Sequence, residues 1–560
     1  MTFVPRTQVH ATVPPSYSYS TPWWWTFSDS SHQHCDSGHF GNTYTVLTTW
    51  NGLEVCGPTG TNTSVTFPGG SVEGEWQCTE LVKRYLYIAY GAPALSNTNG
   101  DQVVANYAST YSDLFTSISN TNGNPNHIWP KVGDVISYSD VHTAIINSVT
   151  ITDATNGNAT LGIIEQNASS TGTTTQQFVS WKIKGDKDDP NDTGSDTVTA
   201  WLTPNNTQSW SNTSPSGTTS DAIYSMAATS TTSVWAAGQE HPSGSNWVPV
   251  TYYNNGSGWT KYMPPTQSSD HHYLYGIASS TSGDTWTVGT YYSYPQFKTL
   301  AYHWNSSTLT WTHVSSDSPG PSSCGCVNKL LSVAIDSSGT PWAVGQYNSN
   351  SSTTLPLLEK WDGSKFAQQT LSLPSSAIDG SLTSIAFSSS TNGFAVGSVY
   401  TSATGWTWIA YHYDGTSWSS YTYGSSSAGL SSVAIVSNNE AWAVGSKGSS
   451  PLILHYTTSG WNEDTSYNGY YPSGTNLLGV GTDGANDVWV VGYINSTTRF
   501  YTMHYNGHAW VQVNTPSISL SSWYDWKLES VAVNSGYAWA GGYDEATVSS
   551  NDNPLVFQWS

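Results

Sequence analysis

Charge is scarce in this chain. Asp, Glu, Lys and Arg make up 9% of its 560 residues, where a cytosolic enzyme carries nearer a quarter. Most of that charge has one sign: 15 Lys and Arg stand against 37 Asp and Glu, a formal net charge of -22. A surface so poor in cations excludes nucleic acid as a partner, because its phosphates would be repelled. It also excludes simple electrostatic anchoring to anionic lipid or to an anionic cell wall. Long apolar runs are lacking too, and no window reaches the length needed to span a bilayer. The opening segment "MTFVPRTQVHATVPPSYSYSTPWWW" lacks a basic stretch followed by an apolar one; the expectation is a signal peptide already removed.

What fills the space is hydroxyl, amide and aromatic. Trp and Tyr number 28 and 35, and Ser, Thr, Asn and Gly are abundant. That balance fits a secreted, β-rich extracellular or cell-surface protein. Cysteine is sparse at five residues. Cys35 and Cys56 bracket one segment, and Cys324 and Cys326 stand together in "SSCGCVN". Pairing Cys35 with Cys56 and Cys324 with Cys326 leaves Cys78 over, and an odd cysteine in a secreted chain marks an intermolecular link or a reactive thiol. The ring across Gly325 is the more strained of the two.

From about residue 220 the chain repeats. "VWAAGQ", "TWTVGT", "PWAVGQ", "GFAVGS", "AWAVGS", "VWVVGY" and "AWAGGY" recur at Trp235, Trp286, Trp342, Phe394, Trp442, Trp489 and Trp539, at intervals of 47 to 56 residues. A period near 50 marks a propeller or a solenoid. One unit, from Ser432 through Trp461, reads as four short alternating strands with turns, which is a propeller blade. Seven units predict seven blades. The last unit stops at its third strand, "LVFQWS", and "NTQSWSNTSP" around Trp210 supplies the missing outer strand, so residues 206–214 close the ring. The repeat resembles kelch-like and related propeller families, which implies a fold and not a ligand. The repeated Trp is expected between blades. Tyr291, Tyr292, Tyr294, Trp406 and Trp408 fall off the pattern, in predicted loops between second and third strands, and are the candidate ligand contacts.

The first 200 residues carry no such period. "CTELVKRYLYIAYG" predicts a helix with an apolar stripe of Leu81, Val82, Tyr85, Leu86, Ile88 and Ala89, ended by Gly91 and Pro93. Strand-like runs follow: "GDVISYS", "HTAIINSVTI", "TLGIIEQNA" and "QFVSWKIKG". Helix first and antiparallel strands after predict a small α+β domain. "GDKDDPNDTGSDT" then reads as a polar linker, without the glycine of an EF-hand loop.

Cys78 opens its helix, where unpaired amides and the helix dipole stabilise a thiolate. A cysteine nucleophile needs a base and a group to orient that base. His142 starts one strand, and Glu165 and Asn167 end the next; if these runs pair as a hairpin, either can reach His142. Alternation places Glu165 and Asn167 on one face and Gln166 on the other.

With these residues the first part of the chain resembles the CHAP family, the cysteine, histidine-dependent amidohydrolases/peptidases of the papain-like superfamily. "WQCTELVKRYLYIAYG" matches its nucleophile helix, "PKVGDVISY" its proline–glycine–aspartate strand, "VHTAII" its histidine strand and "IIEQNAS" its third element, over roughly residues 70–184. The resemblance implies a papain-like α+β domain acting as a peptidoglycan amidase or endopeptidase. Cys78 would be the nucleophile, His142 the base and Glu165 or Asn167 the orienting group. The Cys78 amide, with Gln77 contributing, would hold the oxyanion. The family places glycine before its histidine; here the residue is Val141.

Two smaller features have plain explanations. His32, His34, Cys35 and His39 could bind zinc, but Cys35 has a disulfide partner in Cys56, so no metal and no cofactor is expected. Trp23 to Trp25 are expected to pack on a domain. The expected organisation is an extension over 1–58, a CHAP-like domain over 59–184, a linker over 185–205 and a seven-bladed propeller over 206–560. The expected function is a secreted peptidoglycan hydrolase whose propeller binds peptidoglycan or another extracellular glycan or protein. The alternative is a non-catalytic extracellular binding or self-assembling surface protein.

Overall fold

The computed structural model describes residues 45–560 except 51–52, 58–63, 68–71, 75–76, 121–123, 125, 167–170, 185–196, 206–208, 217–219, 243–244, 323–324, 375–376, 423–426, 468–470, 472–473, 496–498, 517–525 and 546–551. Two compact units emerge, residues 1–208 with 508–514, and 209–507 with 515–560.

The first unit contains, in chain order, β1 (Thr45–Trp50), β2 (Leu53–Gly57), β3 (Ser64–Thr66), β4 (Val72–Gly74), α1 (Cys78–Tyr90), α2 (Val103–Thr110), β5 (Phe115–Ser119), β6 (Val135–Tyr138), β7 (Thr143–Asp153), β8 (Asn158–Ile164), β9 (Thr173–Val179), β10 (Lys182–Ile183) and β11 (Val198–Pro204). A seven-stranded sheet runs in the order β10-β9-β8-β7-β6-β11-β5. Neighbouring residues on its central strands enter opposite cores. Val135, Ile145, Ile164 and Leu202 face a core shared with Leu81, Val82, Tyr85 and Leu86 of α1 and with α2. Ile136, Ile146, Ile163 and Trp201 face a second core with Phe178. Burial on both faces accounts for the consecutive apolar residues Val135–Ile136 and Ala144–Ile146.

α1 ends where the sequence places its end. Gly91 takes a left-handed φ of 63°, and the amides of Gly91 and Ala92 return to the carbonyls of Tyr87 and Leu86. Its burial is wider than a single stripe, because Glu80, Lys83 and Arg84 are also buried.

Two expected boundaries are corrected. Residues 198–204 are not linker: β11 pairs with β5 on one side and β6 on the other. Four alternating apolar positions there outweigh the acidic run before them. Nor is 1–58 a mere extension, since Leu53 and Val55 of β2 enter the α1 core.

The second unit is a β-propeller. Its sheets are four-stranded and sequential, except that blades two and three join into one eight-stranded sheet through a parallel pairing of Ser315–Ser316 with Lys365–Phe366. The ring closes as expected: β12 (Trp210–Asn212) pairs antiparallel with the last strand, Trp210 opposite Trp559.

A motif invisible as a simple period organises the axis. Every inner strand shifts register one residue past a buried aliphatic, as between Ile223 and Ser225 or Leu382 and Ser384. The residue after the shift is Ser in five blades, and its hydroxyl accepts an amide from the next: Ile277 N to Ser225, Ile385 N to Ser332, Val433 N to Ser384, Val480 N to Ser432 and Met226 N to Ser530. The repeated glycine has its reason in the same bulge. A Cβ at Gly238, Gly289 or Gly345 would collide with a carbonyl of the inner strand.

Candidate functional site

Cys78 is the first residue of α1, is 8% exposed and is a free thiol. Gln77 caps the helix from extended backbone without a side-chain hydrogen bond. The thiol lies 3.8 Å from the carbonyl oxygen of Val141, to which its protonated form donates. β6 and β7 form a tight hairpin, Ser137 opposite Thr143, and its turn delivers His142. β7 and β8 pair with Ile145 opposite Ile164, so the residue after Ile164 falls beside the start of β7. Glu165 therefore reaches His142, with Oε2 at 2.8 Å from Nε2.

The electrostatics follow from this geometry. Burial pushes the His142 imidazole down, but hydrogen bonding and charge from Cys78, together with those from Glu165, outweigh it and hold it up at about 10. The imidazolium is thus the favoured form. Glu165 is itself 1% exposed, and its second oxygen, Oε1, is buried without a partner among the described residues. A free thiol, an imidazole and a buried carboxylate are brought together.

The turn before His142 is strained. Val141 sits at φ 73° with its side chain 53% exposed, a left-handed conformation costly for a β-branched residue. Gly100 packs against this turn so closely that a Cβ there would strike the Val141 carbonyl. The departure at position 141 thus falls on backbone that suits glycine, and the Val141 side chain points outward.

Sequence reasoning missed the group behind the site. Gln166, fully buried, donates from Nε2 to the Gln77 carbonyl (3.1 Å) and to Glu80 Oε2 (2.9 Å). Its Oε1 accepts from the Cys56 amide (2.8 Å) and from Arg84 (3.4 Å). Arg84 Nε in turn lies 2.7 Å from Glu80 Oε1. The available signal was the Glu80–Arg84 spacing of four on the predicted helix.

Other candidates fare variously. Gln77 contributes its backbone carbonyl to Gln166 and to the Leu81 amide. Asn167 lies outside the described residues, as do Cys35, Cys324, His32, His34, His39, Trp23 to Trp25 and the acidic stretch 185–196. Cys56 and Cys326 are disulfide-bonded. No cluster of three metal-ligating side chains occurs among the described residues, and no helix there is long and apolar enough to cross a membrane.

In the propeller, the seven repeated aromatics are buried, from Phe394 at 0% to Trp235 at 4%. Several stack on a histidine directly across the ladder: Trp286 on His303 at 4.1 Å, Trp442 on His455 at 3.8 Å and Trp489 on His504 at 4.2 Å between ring centres. An acid completes the unit, as where Asp284 meets both His303 and the Trp286 indole. A cavity of about 420 Å³ opens beside Asp284 and His303. Trp408 is corrected: it lies within a strand, Gly405–Tyr413, and at 5% exposure is core, packed with Phe394, Ala410 and Leu430. Tyr291 and Tyr292 also lie on a strand, Tyr291 stacked on His272 and Tyr292 against Phe297. Trp406 shares the strand and the face of Trp408 but lies near the strand's start, at 42% exposure. Tyr294, at 87%, occupies a hairpin tip.

Comparison with known proteins adds the following. No family model and no curated protein sequence matches the chain. Among solved structures it is similar to the WD40 β-propeller domain of Doa1, at 9% identity and a TM-score of 0.41, covering 63% of this chain and 97% of that one. It is also similar to the β-propeller domain of the Trilobed protease from Pyrococcus furiosus, at 7% identity and 0.37, covering 61% and 95%. A third likeness is to the Trypanosoma rangeli sialidase, at 12% identity and 0.34, covering 64% and 56%.

Proposed function

We propose that this chain is an extracellular protein in which a binding or scaffolding propeller accompanies a cysteine amidohydrolase/peptidase site of the CHAP, papain-like type. The observation that carries the hydrolase reading is the 2.8 Å pairing of His142 with buried Glu165 beside the free thiol that begins α1. In this reading the Cys78 thiolate attacks an amide carbonyl, forming a C–S bond and a tetrahedral oxyanion held by amides at the helix start. Imidazolium His142 protonates the departing amine as the C–N bond breaks. Neutral His142 then takes a proton from water, whose oxygen attacks the thioester and releases the acid and the thiol. Glu165 keeps the ring oriented and its charge matched. The resemblance in "WQCTEL", "VHTAII" and "IIEQNAS" makes wall peptidoglycan the substrate class, and secretion follows from the composition. Disulfides pairing Cys35 with Cys56 and Cys324 with Cys326 complete the proposal.

The test is release of new amino groups from purified peptidoglycan by the full chain and by Cys78→Ala. Turnover by the first and none by the second is expected; no turnover on several wall chemotypes by either would overturn the hydrolase reading. A second reading, a binding or surface-assembly protein with a silent thiol site, is favoured by the propeller itself and by the left-handed Val141 at the thiol. It predicts retention of the chain on wall material or on itself with no bond cleaved.

A further inference from the structure

The candidate nucleophile and the carboxylate that orients its base stand on separate elements, α1 and the segment after β8, 87 residues apart in sequence from Cys78 to Glu165. Something must fix their separation, because a shift of about 1 Å at a reacting group costs orders of magnitude in rate. The core packs α1 against the sheet chiefly through apolar contacts, which fix direction poorly, and its hydrogen bonds from Lys83 to the Leu95 carbonyl and from Tyr85 to the Gly133 carbonyl reach neither Glu165 nor its segment. One side chain bridges the two elements by hydrogen bonds.

That side chain is Gln166. It follows Glu165 directly, so its backbone moves with the carboxylate. Its Nε2 grips the carbonyl of Gln77, the residue before Cys78, at 3.1 Å, and Glu80 in the first turn of α1 at 2.9 Å. The opposite end of the amide accepts from the Cys56 amide and from Arg84. Two donors and two acceptor positions are filled, which also fixes the amide's orientation, since a flip would place both NH groups against donors. Arg84 reaches further, to the Glu54 carbonyl at 2.9 Å, tying the disulfide-bonded strand β2 to the same cluster. A buried amide so fully satisfied specifies one geometry, and a partly satisfied one is costly.

Resting on the hydrolase reading above, we infer that Gln166 is a positioning residue that holds Glu165, and through it His142, in register with the Cys78 thiol. The chain of connection is short: Cys78 is bonded to Gln77, Gln77 is held by Gln166, Gln166 is bonded to Glu165, and Glu165 meets His142. Gln166 touches no reacting atom.

The test uses the full chain, unreduced, and reads the rate of Cys78 alkylation by iodoacetamide against pH, with thermal unfolding alongside. The native chain is expected to alkylate with a midpoint below the about 8.5 of an ordinary thiol. Gln166→Met, which keeps volume and loses the donors and the amide acceptor, is expected to move that midpoint up and to cut the rate at pH 6 about tenfold. Gln176, buried to 1% in β9, supplies the control: Gln176→Leu is expected to leave the midpoint in place whatever it does to the melting temperature. If Gln166→Met does not fold, Gln166→Asn, one methylene too short for the bridge, is read in the same way. A shifted native midpoint that Gln166→Met or Gln166→Asn leaves unchanged overturns the inference alone. A native midpoint at the ordinary thiol value overturns the hydrolase reading and the inference with it.

Discussion

His142 Nε2 stands 2.8 Å from Glu165 Oε2, and the carboxylate is buried while the imidazole keeps 18% of its side chain exposed. The sign of the linkage is set by the imidazole. Its pKa lies at about 10 in the folded chain against 6.5 as the reference value. The stabilisation is therefore complete below pH 6.5 and is lost as pH rises through about 10. Glu165→Gln is expected to lower stability near pH 6 by on the order of 2 kcal/mol and to flatten the stability profile over that window. Urea unfolding at pH 6 and pH 10 measures both. Equal losses at the two pH values would show that the pair carries no charge in the folded chain.

Val141 gives a second expectation. Its left-handed φ of 73° costs a β-branched residue about 1–2 kcal/mol, and glycine's freedom in the unfolded chain returns about 0.5–1 kcal/mol of that. Val141→Gly should therefore stabilise by a few tenths to about 1 kcal/mol. It should also raise the alkylation rate of Cys78, whose thiol contacts this carbonyl. Gly100→Ala, which drives a methyl into the same turn, should lower both. Chemical denaturation and alkylation rates read the two effects separately.

The propeller and the candidate site were legible in the sequence to different depths. The aromatic-glycine repeat announced blades because burial between them recurs at one strand position, and the closing strand at Trp210 followed from an arithmetic shortage of strands. Cys78, His142 and Glu165 were legible because each is a rare polar type at the edge of an apolar run. β11 was not, since insertion between β6 and β5 is a pairing over 60 residues or more that no local pattern encodes. Alternation puts Gln166 on the face opposite Glu165 and Asn167, but nothing in one dimension shows that Glu80, Arg84 and the Cys56 amide converge on Gln166. Trp406 and Trp408 are two residues apart on one strand and share a face; depth between the blades, which no local pattern encodes, buries Trp408 and leaves Trp406 exposed at the strand's start.

Closure of the ring has its own test. Trp210 is 5% exposed and meets Trp489 and Trp559 edge-on, at 5.0 and 5.8 Å between ring centres. Its strand is short, three residues, so this ring dominates the apolar contact of the latch. Trp210→Ala should cost about 3–5 kcal/mol. Proteolysis should then cut first near residues 206–214, which limited digestion with mass spectrometry detects.

Glu359 is where the repeat breaks its own rule. Facing Ala343 across the ladder, it occupies the position held by Tyr252, Tyr302, Tyr411, Leu454, Met503 and Phe557 in the other six blades, each opposite the residue after the repeated aromatic. It is fully buried, and neither carboxyl oxygen has a partner among the described residues. Burial, with the charge of Asp317 adding to it, raises its pKa well above the ordinary 4.5. A folded pKa above the unfolded one means that stability is lost as pH rises from about 4.5, because the unfolded chain releases the proton that the folded chain keeps. Glu359→Leu, which copies blade five, should remove that slope and raise stability at pH 7.5 by about 1–3 kcal/mol. The gain should shrink toward pH 4, where the carboxyl is neutral in both states. Urea midpoints of the two proteins at pH 4 and pH 7.5 decide it: a difference that does not grow with pH would mean that Glu359 is not held protonated in the folded propeller.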